Sequence, residues 1–159
     1  MRAAVLTVSD RVSRGEAEDT SGDLLAELLR VDGYDVERRV EPDEADLIAA
    51  AIEELAQSAA LVLTTGGTGL APRDVTPEAT RTVLQREAPG IAEALRADSI
   101  SKTPHGLLSR GTAGVSGGAL VVNLPGSPGG CRDGYAVLRP VLGHALSLLG
   151  GEPTAHRQS

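Results

Sequence analysis

Leu61 to Thr65 reads LVLTT, a short run without polar alternation, and Gly66, Gly67, Thr68 and Gly69 follow it at once. A run of this kind suits a strand buried on both faces, which requires covering elements on each side of its sheet. The chain around it supplies them. Thr20 to Asp32 predicts a helix with Thr20 or Ser21 as N-cap, a leucine face at Leu24, Leu25, Leu28 and Leu29, and Gly33 as its stop. Pro42 and Asp43 open a second helical pattern carrying Leu47, Ile48, Ala51, Ile52 and Leu55 on one side. Strands alternating with such helices predict an α/β domain of three layers, α/β/α, with a mainly parallel sheet.

The other segments fit that plan. Arg2 to Ser9 predicts a buried strand, and the alternation of Tyr34, Val36, Arg38 and Val40 predicts a strand with a wetter face, near an edge. Thr76 as N-cap and Pro77 at the first helical position start a helix to about Glu87, and Ile91 to Ala97 predicts another. Ala119 to Asn123 is the last clear strand, with Gly117 and Gly118 set to turn it back on Ala113 to Val115. A helical stretch beyond PGSPGG ends at Leu149, and Pro140 should kink or break it by removing a donor. We expect one domain over residues 1–149 and a frayed tail over 150–159.

Composition limits the core and the partners. At 159 residues the chain can bury roughly two thirds of the surface its unfolded form exposes. With two tyrosines, no phenylalanine and no tryptophan, burial must come from Val, Ile, Leu and Ala. The same shortage removes stacking platforms for single-stranded nucleic acid, and a formal charge of -7 opposes binding to a phosphate backbone. Fourteen of the fifteen basic residues are arginines, with Lys102 the exception, a bias that genome composition alone can produce. Cys131, the one cysteine, can form no internal disulfide and suits a reducing cytoplasm. The amino terminus, MRAAVLTVSD, meets charge at Asp10, too soon for a signal segment or a membrane span. The expectation is an untargeted cytoplasmic protein with neither nucleic acid nor membrane as partner.

Glycines at the C-terminal end of a strand let backbone amides approach an anion, and open α/β sheets bind ligands at that edge. The stretch Thr64 to Thr80, TTGGTGLAPRDVTPEAT, has that form, although a tight turn alone would also use glycine. It is not a P-loop, because no lysine and hydroxyl follow in the required places. An anion here would rest on backbone amides, on the Thr65 and Thr68 hydroxyls and on Arg73, with a divalent cation offsetting the remaining charge. Carboxylates are then needed. Asp74 follows the glycines closely, while Asp43 lies after the second strand, where capping a helix is the competing explanation. His105, His144 and His156 are given no role.

TTGGTG, PRDVTPEAT, the early VSDRVSRGEAEDTSG, and the late LLSRGTAG and NLPGSPGG resemble in order and spacing the MogA/MoaB molybdopterin adenylyltransferases, from about Val5 to Leu149. The adenylylating part of gephyrin carries the same domain. The resemblance implies that ATP adenylylates the terminal phosphate of molybdopterin, with Mg2+ required and pyrophosphate released. It places the essential aspartates, catalytic and metal-binding, at Asp43 and Asp74. It sets Thr65, Gly66, Gly67, Thr68 and Gly69 against the nucleotide phosphates. Ser9, Asp10, Ser21, Gly22, Ser109, Asn123, Pro125 and Gly126 fall in segments expected to form the pterin and nucleotide pocket. For several of these a plain alternative stands: Ser9 and Asp10 end a strand, Ser21 can cap a helix, and Asn123 to Gly126 can simply turn the chain. The resemblance further implies a homotrimer and a hand-over of product to a molybdate-inserting protein. Two rivals remain: a non-catalytic molybdopterin-binding scaffold and a molybdate-insertion domain.

Overall fold

The computed structural model describes residues 1–151. Strands β1 (Arg2–Val8), β2 (Asp35–Glu41), β3 (Leu61–Thr65), β4 (Arg86–Glu87), β5 (Ala113–Ser116) and β6 (Ala119–Leu124) form one sheet in the order β2-β1-β3-β6-β5-β4. β2, β1, β3 and β6 are parallel, and β5 and β4 complete the sheet antiparallel. The helices are α1 (Asp10–Ser13), α2 (Thr20–Val31), α3 (Ala45–Ser58), α4 (Thr76–Val83), α5 (Pro89–Lys102) and α6 (Pro128–Leu149), with a 3-10 turn at Pro104–Leu108.

The expected layers are present because the strands alternate between two cores. Ala3 and Val5 of β1 with Leu61 and Leu63 of β3 face α2 and α6, while Ala4, Leu6 and Val62 face α3 and α4. Every residue of β3 is buried. Among the described residues the two cores contain one buried ring, Tyr135, as the composition required. β2 lies at the edge, its arginines paired: the exposed Arg38 with Asp19 and Asp23, and the half-buried Arg39 with Glu41 and Glu54. The hairpin between β5 and β6 turns at Gly117 and Gly118, both at positive φ, where a side chain would be strained.

Several local expectations fail for identifiable reasons. Asp19, not Thr20 or Ser21, caps α2, its carboxylate accepting from Gly22 N at 3.0 Å, so the helix starts at Thr20, earlier than a cap at Thr20 or Ser21 would allow. Asp43 does not cap α3: Glu44 holds the N-cap position without a side-chain bond, and Asp43 is drawn to the neighbouring loop instead. Thr76 is the first residue of α4 and Val75 holds the cap position. That helix stops at Val83 because Gln85 to Ala88 hydrogen-bond to β5, with β4 as the paired piece. α5 is longer than its weak apolar period suggested. α6 runs through Pro140 without a break, since Leu138, Leu142 and Leu146, on both sides of the proline, are buried in one core. Residues 152–159, most of the expected tail and His156 with it, lie outside the described residues.

Chain order reverses between β1 and β3: the chain leaves β1 for β2 on one side and returns to β3 on the other. The carboxyl ends at that reversal are where a parallel sheet opens a crevice. The loops after β1, β2, β3 and β6 all emerge at this edge.

Candidate functional site

The β1 and β2 loops lock together. Val8 is in register with Glu41, so the residues just beyond them face one another. Asp10 N donates to the Asp43 carboxylate at 2.9 Å, and Asp43 N donates to the Asp10 carboxylate at 3.0 Å. Each aspartate therefore fixes the other's backbone. Arg73, from the β3 loop, closes the group by donating from Nε and Nη2 to both Asp10 oxygens at 2.6 and 3.0 Å. The Arg73 guanidinium holds the Asp10 carboxyl down to about 2. Asp43 shifts the other way: burial raises it, and the charges of Asp10 and Asp74 add to the rise. Arg73, anticipated as a phosphate ligand, is thus engaged by Asp10.

The β3 loop brings the second carboxylate to the first. Gly66 and Gly67 have positive φ, 100° and 67°. A Cβ on Gly66 would collide with the carbonyl of Val8, and one on Gly67 with the Thr76 hydroxyl. That same point beside Gly67 lies 3.2 Å from Asp43 Oδ1, and the corresponding point beside Gly69 lies 2.9 Å from Asp74 Oδ2. Asp43 and Asp74, 31 positions apart in sequence, therefore both line the glycine loop. Asp74 Oδ2 also accepts from Ala71 N at 3.0 Å. The amides of Gly67, Thr68, Gly69 and Leu70 meet no protein acceptor among the described residues. The Thr76 hydroxyl is fully buried and has no partner either.

The remaining residues divide between two cavities. One, of about 340 Å³, is lined by Thr68, Gly69, Ser109, Asn123 and Pro125, and walled by α5 and the 3-10 turn. The other, of about 240 Å³, is lined by Ser9, Ser21, Thr65, Gly66 and Gly126, between the end of β1 and the start of α2. The loop after β6 contributes to both, Pro125 to the first and Gly126 to the second, and it is held by Thr65 Oγ1 donating to Pro125 O and Ser21 Oγ to Gly126 O, each at 2.7 Å. Asp10, Asp43, Gly22, Gly67 and Asp74 line neither cavity. Ser9 caps the short α1 through Val12 N. Gly22 is hemmed in by Asp19 and the Thr7 hydroxyl, which leave no room for a Cβ. Asn123 sits in β6 rather than in a turn and spends its amide internally, donating to Thr64 and Thr80 hydroxyls and accepting from Thr112 N.

Two residues escape a sequence reading. Asp19 ties Thr7, Gly22 and Arg38 together on the wall of the smaller cavity. Arg110 reaches across to the glycine loop, donating to Gly69 O at 2.8 Å, Asp74 O at 2.7 Å and the Glu78 carboxylate. Asp19 lies inside the quoted run EAEDTSG and Arg110 inside LLSRGTAG, so order and spacing marked both segments without marking these side chains.

Among the described residues no helix is long and apolar enough to cross a membrane. The model of the family described as "Probable molybdopterin binding domain" matches residues 4–144. A molybdopterin adenylyltransferase of Helicobacter pylori is 38% identical over 152 residues, which cover 92% of this chain and 86% of that protein. A molybdenum cofactor biosynthesis bifunctional protein of Synechococcus elongatus is 44% identical over 151 residues, covering 94% of this chain and 47% of its own length. In that and in other long relatives the chain spans between about a quarter and a half of the whole protein. Among solved structures, MoaB of Thermus thermophilus superposes with a TM-score of 0.87 at 48% identity, covering 96% of this chain and 98% of that one. The Mog protein of Mycobacterium ulcerans superposes with a TM-score of 0.89 at 41% identity, covering 93% and 98%. With its sheet order, its glycine loop and these relatives in agreement, the chain belongs to the MogA/MoaB family of molybdopterin-binding domains.

Proposed function

We propose that this chain transfers the adenylyl group of ATP to the terminal phosphate of molybdopterin, with Mg2+ held between Asp43 and Asp74. One observation carries the reading: two carboxylates from different loops meet on a glycine loop whose amides have no protein acceptor. Three adenylyltransferase relatives from bacteria, 38% identical to the chain, support it.

The residues suit a divalent cation. Magnesium takes one or two carboxylates and keeps its other positions for phosphate oxygens and water, so an enclosing cage is not needed. Asp43 is raised by burial and by its acidic neighbours, and a cation beside it would restore the ionised form. When bound, the cation supplies positive charge against the phosphate oxygens. The rest falls to the protein. A phosphate oxygen of molybdopterin attacks the α-phosphorus of ATP, the bond to the β-phosphate oxygen breaks, and pyrophosphate leaves. The nucleophile is already anionic and needs no general base. The two positive-φ glycines turn the loop, its free amides offer fixed dipoles, and the two cavities hold the two substrates. Gly67, Thr68 and Gly69 contact phosphate in this reading, while Thr65 and Gly66, whose donors are spent on Pro125 O and Leu124 O, shape the loop behind them, and Ser9, Ser21, Ser109, Pro125 and Gly126 contact the substrates. Asp10, Gly22 and Asn123 hold those contacts in place.

The purified chain incubated with molybdopterin, ATP and Mg2+ should yield adenylylated molybdopterin and pyrophosphate. Absence of product beside an active MogA-type control overturns the reading and leaves a molybdopterin-binding scaffold. A cytoplasmic homotrimer that passes its product to a molybdate-inserting protein completes the proposal, and light scattering tests the trimer.

A further inference from the structure

We infer that Arg110 is the positioning residue that sets Asp74 and the glycine-loop amides in register with one another. The inference rests on the proposed reaction for its kinetic consequences and on geometry for the rest. Arg110 lies between the 3-10 turn and β5, outside both loops that carry the aspartates. Its backbone N donates to Thr68 O at 2.9 Å. Its guanidinium then uses all three nitrogens: Nε on Gly69 O at 2.8 Å, Nη2 on Asp74 O at 2.7 Å, and Nη1 on the Glu78 carboxylate in the first turn of α4. One residue thus bonds to residues 68, 69, 74 and 78.

Peptide geometry gives those bonds a consequence. In a trans peptide the carbonyl of one residue and the N–H of the next point in opposite directions. Holding the carbonyls of Thr68 and Gly69 toward Arg110 therefore turns the N–H groups of Gly69 and Leu70 away from it. Those two amides are among the loop donors without a protein acceptor. The carbonyl of Asp74 is held by the same planar group, so the carboxylate and the amides are referred to one rigid fork. The other bonds that restrain this loop are Gly66 N to Leu124 O, Thr76 N to Gly67 O, the Ala71–Asp74 turn, and the Arg73 guanidinium on Asp10, none of which holds the carbonyls of Thr68, Gly69 or Asp74. A lysine ammonium is a single point on a flexible stem and cannot span the two carbonyls and the carboxylate in one plane.

Arg110→Lys and Glu78→Gln, compared with the wild-type chain, test this. Three quantities are measured: amide hydrogen exchange at Ala71, Asp74 and Thr76, the loop residues whose N–H groups are bonded, affinity for molybdopterin by calorimetry, and single-turnover formation of adenylylated product. Arg110→Lys should speed loop exchange while leaving β1 and β6 protected, and should slow product formation by about a hundredfold, the cost of a misplacement near 1 Å. Its molybdopterin affinity should stay within about twofold, because the ordering effect of Arg110 falls on the transferring group rather than on pterin binding. Glu78→Gln keeps both carbonyl bonds and should cost less than about threefold. Wild-type exchange and turnover in Arg110→Lys overturn the inference, as does a Glu78→Gln variant that falls as far. If the wild-type chain makes no product, the proposed reaction fails and loop exchange alone decides the role of Arg110: faster exchange in Arg110→Lys supports it, and unchanged exchange overturns it.

Discussion

Asp43 and Asp74 reach the same glycine loop by opposite means. Asp43 is held by adjacency: β1 and β2 are parallel neighbours in register, so their following loops meet, and Asp10 and Asp43 exchange backbone-to-carboxylate bonds. Asp74 is held within its own loop by the Ala71 turn and from outside by the carbonyl bonds of Arg110. The first arrangement follows from sheet topology and is backed by a second aspartate and Arg73. The second depends on the Arg110 guanidinium for its carbonyls, with the exposed Arg73–Asp10 pair one residue away as its other outside tether. The lesson is that the two carboxylates should differ in how easily their position is lost, although both should be equally needed for chemistry.

The largest effect expected is the one that removes both arrangements' purpose. Asp43→Ala and Asp74→Ala should each lower the adenylylation rate by about 10²–10³ or more, with the thermal midpoint little changed, as read by product formation and by melting. A variant of either that keeps its rate would break the pairing of the two aspartates.

Gly67→Ala should come next. It places a methyl group on the Thr76 hydroxyl and beside Asp43 Oδ1, in a backbone conformation at φ 67° that side chains disfavour. A loss of about 1–3 kcal/mol in denaturant unfolding is expected, together with a loss of turnover. A stable, active Gly67→Ala chain would show that the loop adapts, and that Asp43 is less firmly placed than its bonds suggest.

A clamp remote from both loops calibrates the comparison and should give the smallest effect. Asp32, just beyond α2, accepts from Tyr135 Oη at 2.7 Å and from Arg139 Nη2 at 2.6 Å. The Tyr135 hydroxyl, with Arg139 assisting, holds the Asp32 carboxyl below its usual range. A lowered folded value means that the bonds stabilise the chain above the ordinary carboxylate range, and that this contribution is lost as pH falls through the lowered value. Melting curves across acid pH should therefore drop less steeply for Asp32→Asn than for wild type, with turnover near neutral pH unaffected. Parallel curves would remove Asp32 from the acid transition.

How much of this was legible in the chain depends on range. Leu61 to Thr65 and the Gly117–Gly118 hairpin match their expectations because strand pattern and turn chemistry are local. The N-caps expected at Thr20 and Asp43 fall elsewhere because a cap side chain has competing partners: Asp43 finds Asp10, and Asp19 displaces its neighbours on α2, whereas Thr76 enters α4 as its first residue with its hydroxyl buried and unpartnered. Pro140 misled for the same reason in reverse, since burial of Leu138, Leu142 and Leu146 outweighs one lost helical bond.

The sequence by itself determined an aliphatic, two-faced sheet, a glycine loop at the end of its buried strand, and the two carboxylates worth testing, because period, composition and motif order are properties of a line. Only the tertiary structure decided that Asp10 belongs to Asp43, separated by 33 positions, and that Arg110 belongs to Gly69 and Asp74, separated by 41 and 36. Such bonds depend on which loops the strand order brings to one edge. That order is set by the packing of both cores at once, a three-dimensional constraint that no local pattern encodes.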